Sequence, residues 1–348
     1  MPRMISARAT WQLVRAGNLP ARLRATRDGQ TAVRLQIVGA ALDTCVLDAL
    51  AERPATTEDL ARRTGATDTA LLAAFLRVLE AAGLAGRRGD TWGLGRQGRA
   101  VLDDDIVRAS YEAFAGFHTE LYRDLRPQLA GGPARRDVTE RGGVIARISA
   151  AFEPFIEEVL TRTVTERRPE RVLDVGCGAG LQLAAMLDAA PGARGVGVDT
   201  DGPAVEIARQ TLERRGLAGR ATVLHGDVRE QQLDPVDLAL LANVVYYVPL
   251  ADRVAFLRDI GRLLAPGGAL LVVTTAATPH LLSRHFDLLL RAQEGAMELP
   301  DAGELVSQLA AAGLRPGEPE RIAPGNPFVA VVATRPAGQT VQGSSSTV

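Results

Sequence analysis

The chain has 348 residues, enough for about two domains of ordinary size. Hydrophobic residues make up 46% and charged residues 23% of it, so it can form a buried core and does not have the composition of a disordered chain. The 40 cationic residues nearly balance the 41 acidic ones at a formal net charge of -1, which disfavours a nucleic-acid binder that relies on a positive field over the whole surface. Every cationic residue is an arginine, which excludes a lysine Schiff base and the lysine of a P-loop.

The cysteine usage and the hydropathy pattern indicate the compartment. Cys45 and Cys177 lie far apart and outside any CxxC pair, which disfavours a disulfide framework or a thiolate zinc site and fits a reducing environment. No uncharged apolar stretch reaches the length of about 18 residues that a membrane-spanning helix requires. The sequence therefore predicts a cytoplasmic protein that does not enter a membrane.

Residues 1–34 are predicted to form an N-terminal arm. They contain arginines but no acid before Asp28. A solvated helix or arm that packs on a partner subunit is the favoured interpretation, and a transit peptide is the alternative, although the segment lacks the apolar centre of a secretory signal.

Residues 35–102 are predicted to form three helices and a hairpin. The first helix spans Leu35–Leu50, the second is capped by Thr56 or Thr57 and ends at Arg63, and the third, Thr69–Ala82, is capped by Thr67 or Asp68. The hairpin strands are Leu84–Arg87 and Thr91–Leu94. This order resembles a winged-helix domain, in which the third helix contacts DNA. That helix has one arginine, Arg77, beside the acids Asp68 and Glu80, so it lacks the donors that base edges and phosphates require. We therefore expect a dimerisation domain, with DNA binding as the alternative.

Residues 103–165 are predicted to be a helical linker that contributes to a substrate pocket. Asp103, Asp104 and Asp105 place negative charge at the start of a helix, where it suits the helix dipole. An aromatic stripe follows at steps of three, four and four residues, and it consists of Tyr111, Phe114, His118 and Tyr122. In a regular helix these residues share one face, which is either a core stripe or the wall of a substrate pocket.

Residues 166–336 alternate short β-branched runs with helices. The predicted strands are Arg171–Val175, Gly195–Asp199, Ala221–Leu224, Leu238–Leu241, Ala269–Thr274 and Phe328–Thr334. The predicted helices between them are Leu181–Ala190, Pro203–Arg215 and Ala251–Leu264. This alternation is typical of an α/β fold with a doubly wound, mostly parallel sheet and helices on both faces. Residues 337–348 have nothing to bury, and we expect a disordered tail there.

Glycines and acids at the ends of the predicted strands indicate a nucleoside site. Gly176, Gly178 and Gly180 follow the first strand with GxGxG spacing, which differs from the GxGxxG of dinucleotide-binding proteins. Asp199 ends the second strand, where its carboxylate can accept both hydroxyls of a ribose. Asp227 follows the third strand and can accept from an adenine amino group, or it is a structural acid in a surface turn.

Five segments in order resemble the motifs of the class I S-adenosylmethionine-dependent methyltransferases, namely Leu173–Gly180, Val198–Asp199, Gly226–Val228, Ala242–Asn243 and Leu264–Gly268. The match covers about Arg171 to Thr334, and the whole chain resembles the two-domain small-molecule methyltransferases of natural-product pathways. The resemblance implies a Rossmann-like sheet of seven strands, S-adenosylmethionine as the cofactor with S-adenosylhomocysteine as its product, a small-molecule substrate, and a homodimer formed through the N-terminal domain.

The resemblance also implies a set of cofactor-binding residues. They are Asp174, Gly176, Gly178, Gly180, Asp199, Thr200, Asp227, Val228, Ala242, Asn243 and Arg147. The methionine part of the cofactor is expected to contact the glycines, Ala242 and Asn243. The ribose is expected to contact Asp199 and Thr200, and the adenine to contact Asp227 and Val228. Arg147 is expected to pair with the cofactor's carboxylate, and a structural ion pair is the alternative.

The catalytic base is where this sequence departs from the family. Members that methylate oxygen commonly have a His-Asp-Trp pattern after the fourth strand, whereas this chain has Asn243-Val-Val-Tyr246-Tyr247-Val-Pro249. Tyr246 can position an acceptor, but with an ordinary pKa of about 10 it is a poor base. O-methylation therefore follows from the family alone, and carbon or nitrogen acceptors, which need no strong base, are nearly as well supported.

Three histidines are candidates for a base. His118, His280 and His285 are available, since His225 adjoins the adenine acid and is expected to be structural. Each of these histidines is a surface residue, a catalytic base or part of a metal site that includes Asp287. We predict that no metal is bound. A regulator that senses S-adenosylmethionine, or a non-catalytic scaffold that binds it, is the alternative to an enzyme.

Overall fold

The computed structural model describes residues 11–12, 15–322 and 327–337. They form two compact units. The N-terminal unit extends to Arg126 and includes Gly143–Ile148, and the C-terminal unit comprises Pro127–Gly142 and the chain from Ser149 onward.

Two predicted segment boundaries differ from the structure. The predicted linker, residues 103–165, is divided between the two units. The predicted arm, residues 1–34, does not end at a break, because helix α1 (Leu19–Asp43) runs through its end. Pro20 in the first turn suits a helix start, and no further proline follows before Pro54. Most of the predicted tail, residues 338–348, lies outside the described residues, as do residues 1–10, 13 and 14 of the arm.

Helices dominate the chain up to Ser149. After α1 they are α2 (Val46–Glu52), α3 (Thr57–Thr64), α4 (Thr69–Ala81), α5 (Arg96–Leu102), α6 (Asp105–Ala113), α7 (Thr119–Leu129), α8 (Asp137–Glu140) and α9 (Gly142–Ser149). The single helix predicted over Leu35–Leu50 is wrong, since it is the end of α1 followed by α2. Cys45 separates them with a φ of 56°, a left-handed conformation that no helix can continue through.

The predicted caps and hairpin of the N-terminal unit are confirmed. Thr56 Oγ1 accepts from the Asp59 amide at 3.3 Å, and Asp68 Oδ1 accepts from the Leu71 amide at 2.9 Å. Each side chain thus caps its helix by accepting from a backbone amide of the first turn that has no partner within the helix. Strands β1 (Ala85–Arg88) and β2 (Thr91–Leu94) pair in antiparallel fashion after α4. Their positions agree with the sequence prediction to within one residue.

The aromatic stripe does not form one face. Between α6 and α7 the chain forms a π-helical segment, Phe114–His118, and Gly116 in it has non-helical dihedral angles. A π-helix has more residues per turn than an α-helix, so residues on its two sides lose their common spacing. Tyr111 packs against the core of the N-terminal unit, whereas the side of the helix with Tyr122 is open and that residue is 51% exposed.

The C-terminal unit is built on one mixed sheet. Its strands are β3 (Arg171–Val175), β4 (Arg194–Asp199), β5 (Ala221–His225), β6 (Val236–Ala242), β7 (Leu264–Thr275), β8 (Arg315–Pro316), β9 (Glu320–Arg321) and β10 (Phe328–Thr334). They lie in the order β5-β4-β3-β6-β7-β10, and β8 and β9 both pair with the outer edge of β10. The strands β3 to β7 are parallel and β10 is antiparallel, so the predicted doubly wound, mostly parallel sheet is confirmed. The seventh position is an interrupted strand in two short pieces.

Helices cover both faces of this sheet. They are α10 (Glu153–Arg167), α11 (Leu181–Ala189), α12 (Gly202–Arg214), α13 (Arg253–Leu263), α14 (Leu281–Arg291) and α15 (Ala302–Ala311). Alternate residues of β3 enter opposite cores, with Val172 on the face of α10 and α11 and Leu173 on the face of α13 and α15. Asp174 follows on the same face as Val172, so its carboxyl group points toward the core below α11.

Candidate functional site

Most of the predicted cofactor-binding residues lie along the carboxyl edge of the sheet. The chain leaves β3 toward β4 and β5 on one side and then returns to place β6 on the other side. A gap between connections therefore opens above the ends of β3 and β6. In open α/β sheets ligands bind at such a switch point.

The glycine loop lies directly above this switch point. Gly176, Gly178 and Gly180 all have left-handed φ values, of 73°, 50° and 76°. A Cβ atom on Gly176 would lie 2.5 Å from Cγ2 of Val244, whereas a Cβ on Gly178 would have no described atom within 4 Å. Gly176 is thus required for packing against the loop after β6. Gly178 leaves its backbone open to the approach of a ligand.

Asp199 is held by backbone amides. Its Oδ2 accepts from the Gly178 amide at 2.8 Å, and its Oδ1 accepts from the Asp201 amide at 2.9 Å. Each oxygen retains a further lone pair, so the carboxylate can still accept two ribose hydroxyls. His225 Nε2 lies 3.1 Å from the carbonyl oxygen of the exposed Thr200, which ties the ends of β4 and β5 together. This contact agrees with the structural role predicted for His225.

Asp174 is buried beneath the loop without a full set of partners. Burial, and next the negative charge of Asp199, raise the pKa of Asp174 to about 7. The Leu183 amide bonds to this carboxyl group, but no donor of the described residues reaches its Oδ2. An unpartnered buried acceptor beside a glycine loop fits a ligand that carries a positively charged donor, and the ammonium group of S-adenosylmethionine is such a donor. The residues present therefore fit the predicted cofactor.

Asp227 already has a structural role in addition to the predicted one. Its carboxylate accepts from the Arg229 amide at 2.8 Å and pairs with the Arg229 guanidinium, with Oδ2 and Nη2 2.5 Å apart. These bonds lower the pKa of Asp227. The Val228 side chain is buried in the core and does not face the edge of the sheet. The contact of both residues with adenine stays a prediction.

The loop after β6 abuts the glycine loop. Ala242 is half-buried at the strand end, and the Asn243 amide donates to the Val273 carbonyl oxygen at 2.8 Å. Asn243 has a φ of 57°, a left-handed conformation that asparagine tolerates better than most residues. The next residue, Val244, is the one that contacts Gly176. The structure therefore brings this pair of predicted residues to the same switch point.

Arg147 is engaged in ion pairs within the N-terminal unit. Its Nη1 lies 2.9 Å from Oδ1 of Asp105, and its Nη2 pairs with Glu112. This is the structural alternative that the sequence left open. Pairing of Arg147 with the cofactor's carboxylate remains a prediction.

The four catalytic candidates have different environments. Tyr246 is buried against Tyr247 and Phe286, and this burial raises its pKa well above 10, so it cannot be a base at neutral pH. His280 is exposed at the start of α14. His285 is half-buried on α14, and burial lowers its pKa, which keeps the imidazole neutral and able to accept a proton. His118 belongs to the N-terminal unit, with its ring centroid 4.6 Å from those of Phe114 and Phe117.

Two residues beside the glycine loop were missed by sequence reasoning. Glu153 begins α10, and Gln182 is the second residue of α11; Nε2 of Gln182 lies 2.7 Å and 2.6 Å from the two carboxylate oxygens of Glu153. They are 29 positions apart, and only the packing of the two helices brings them together. No spacing in the sequence points to this pair.

Within the described residues no helix combines the length and the apolar character needed to cross a membrane. In the same part of the chain no three residues among histidine, cysteine, aspartate and glutamate are grouped so that they could hold a metal ion.

Comparisons with known proteins agree with this site. A family model described as a methyltransferase domain matches residues 172–268. The mitomycin biosynthesis 6-O-methyltransferase of Streptomyces lavendulae is 29% identical over 306 residues, which cover 82% of this chain and 87% of that protein. The aclacinomycin 10-hydroxylase RdmB of Streptomyces purpurascens is 43% identical over 173 residues, 49% of this chain and 43% of its own. The solved structure of the mitomycin 7-O-methyltransferase MmcR is similar with a TM-score of 0.74 and 25% identity, and the match covers 93% of this chain and 99% of that one.

The glycine loop at the switch point, the strand-end acid and the methyltransferase-domain match together define the class. Residues 172–268 are a methyltransferase domain of the class I S-adenosylmethionine-dependent type, and S-adenosylmethionine is its cofactor.

Replacing Asp199 with alanine should weaken cofactor binding. The ribose hydroxyls then lose their acceptor, and the Gly178 amide loses its bond, so we expect the affinity for S-adenosylhomocysteine to fall by roughly 5- to 150-fold. Calorimetric titration checks this. Asp201→Ala is the control, because that exposed side chain makes no capping bond. Equal affinities of the wild type and Asp199→Ala would remove Asp199 from the site.

Cofactor binding should also depend on pH through Asp174. Its pKa of about 7 means that the carboxyl group is protonated below this pH and negative above it. Since the cofactor is cationic, affinity should rise as the pH increases from about 6 to about 8. Titrations across this range on the wild type and Asp174→Asn test the assignment. A pH dependence of the same size in Asp174→Asn would assign it to another group.

Proposed function

We propose that this methyltransferase transfers the methyl group of S-adenosylmethionine to an oxygen atom of a small-molecule intermediate of secondary metabolism. The glycine loop beside Asp199 and the buried Asp174 carries the methyl-transfer assignment. Oxygen as the acceptor atom is supported by the comparisons, since the mitomycin-related sequence and structure that resemble this chain are both named O-methyltransferases.

The protein's part in the reaction is alignment and proton removal. When bound, S-adenosylmethionine supplies a methyl group activated by its positively charged sulfur. The site would align the acceptor oxygen with that methyl group, which the oxygen would receive while the sulfur kept the electron pair of the broken bond. The acceptor's proton passes to a base and then to solvent. The hydrophobic cluster of Tyr246, Leu290 and Leu299 excludes water at the sheet edge beyond β6 and β7.

His285 is the base that we favour among the histidines. It lies on α14, which follows the carboxyl end of β7, and its lowered pKa keeps it neutral at physiological pH. Tyr246 lacks this capacity because its phenol remains protonated, so it is assigned a positioning role only.

Replacing His285 with alanine should lower turnover by roughly 10²- to 10⁴-fold, the usual contribution of a general base. The loss should become smaller at high pH, where the acceptor ionises without help. The assay follows labelled methyl transfer from S-adenosylmethionine to a panel of phenols, naphthols, amines and enolisable carbonyl compounds. Arg284→Ala on the exposed side of the same helix is the control.

Other results of that panel would contradict the proposal. A loss confined to His280→Ala or His118→Ala would give the base role to that residue. Labelled amines or carbon acceptors with unmethylated phenols would show that oxygen is not the acceptor. Cofactor binding without any labelled product would favour the second candidate, a cofactor-binding protein that does not transfer methyl groups, which the similarity to a 10-hydroxylase supports.

The N-terminal unit is proposed to be a winged-helix-like dimerisation domain. Helices α1 and α4 border a groove of about 910 Å³, lined in large part by apolar side chains that include Val33, Ile37 and Val78. Val33 is 60% exposed and Val78 is 41% exposed, although α4 is the helix that would contact DNA in a regulator. The lining also includes Arg34 and Arg77, but the exposed apolar side chains between them favour a second copy of this chain over a phosphate backbone. The cytoplasm is the proposed location, on the basis of the free Cys45 and Cys177.

A charge in this groove should separate the copies. We expect Val78→Glu to convert a dimer into a monomer, as measured by light scattering after size-exclusion chromatography. Leu250→Glu is a matched control, since Leu250 is also 41% exposed but lies in the C-terminal unit. A dimer that survives Val78→Glu would exclude this groove. A wild-type monomer at micromolar concentration that shifts duplex DNA at physiological salt would favour the regulator.

A further inference from the structure

Glu153 is the first residue of α10, and its carboxylate is held by Gln182 in the first turn of α11, the helix that follows the glycine loop. Gln182 donates from Nε2 to both carboxylate oxygens, at 2.7 Å and 2.6 Å, and it stands two positions after Gly180. Both side chains are half-buried, so one side of the pair remains open to a ligand. Helices α10 and α11 pack against each other over their length, which holds this geometry in place.

The pair adds negative charge to a region that already has an excess of it. Burial raises the pKa of Glu153, and the charge of Glu153 is one of the causes that raise the pKa of Asp174. The two carboxyl groups are thus close enough to interact, with Asp199 as the third. Among the described residues no arginine or histidine forms an ion pair with Glu153 or Asp174, and Oδ2 of Asp174 is buried without a donor. Such a cluster favours a cation with several donors.

The cofactor of this family offers one such group, the ammonium of its methionine part. We propose that Glu153 accepts a hydrogen bond from this ammonium group and that Gln182 orients the carboxylate for it. Asp199 binds the ribose at one end of the glycine loop, and Glu153 binds the amino-acid end of the cofactor at the start of α11. This inference rests on the cofactor assignment made above and adds a binding residue to it.

Three ligands separate this role from a structural one. S-adenosylmethionine and S-adenosylhomocysteine both carry the ammonium group, whereas 5′-methylthioadenosine has the adenosine and the sulfur but no amino acid. Calorimetric titration of Glu153→Gln should show roughly tenfold weaker binding of the first two, the size expected for one hydrogen bond to a charged group. Binding of methylthioadenosine should change less than about twofold, because that ligand never reaches Glu153.

Two further variants control the measurement. Glu158→Gln removes another exposed carboxylate of α10, and it should leave all three affinities unchanged. Gln182→Ala keeps the charge of Glu153 but loses its orientation, so it should weaken the two ammonium ligands by a smaller factor than Glu153→Gln. Thermal unfolding of each variant shows whether the fold is retained.

The outcomes distinguish this proposal from the cofactor assignment. Equal weakening of all three ligands in Glu153→Gln, or unchanged binding of S-adenosylhomocysteine, would overturn the role of Glu153 alone. A wild-type protein that binds none of the three ligands would overturn the cofactor assignment itself. If Glu153→Gln does not fold, Gln182→Ala decides, since selective weakening of the ammonium ligands supports the proposal and uniform weakening refutes it.

Discussion

The hydrogen bond from the Gly178 amide to Asp199 depends on the register of two neighbouring strands. Val175 of β3 pairs with Val198 of β4, and this pairing puts the first glycine beside the strand-end acid. The Gly176 amide reinforces it by donating to the Val198 carbonyl oxygen at 2.8 Å. A slip of one residue would turn the Asp199 side chain to the other face of the sheet. The position of the Asp199 carboxylate is therefore a consequence of parallel pairing, which the buried β-branched residues on both faces enforce.

The same arrangement concentrates negative charge that the protein does not neutralise by itself. Asp174 is fully buried below the loop, and its pKa of about 7 reflects both desolvation and the neighbouring Asp199. A carboxyl group in such a place destabilises the fold once it ionises, so apolar packing alone would not place it there. A cationic ligand converts this unfavourable charge into binding free energy. Oδ2 of Asp174, which no described residue contacts with a donor, is the atom that such a ligand would bind.

Local signals predicted more of this molecule than long-range ones. The glycine loop, Asp199 and the caps Thr56 and Asp68 follow from rules on turns, strand ends and helix starts, and each lies where the sequence predicts. Neither the break at Cys45 nor the π-helical segment Phe114–His118 contains a proline, so helical periodicity alone predicts a continuous helix through each of them. The ion pairs of Arg147 and the contact of Glu153 with Gln182 join residues 29 or more positions apart. Such contacts depend on helix packing, which spacing along one chain does not encode.

One buried side chain joins the loop after β6 to the segment after α14. Arg253, at the start of α13, is completely buried, and its guanidinium donates to the carbonyl oxygens of Val248 and Glu298. These bonds tie the loop after β6, which contains Tyr246, to the segment after α14, the helix of His285. Burial lowers the pKa of Arg253, because removing its charge from water is unfavourable. A buried arginine is tolerated here because backbone carbonyls on two loops need a donor that reaches both. The placement of Tyr246 relative to α14 is thereby set by hydrogen bonds to the backbone of both segments.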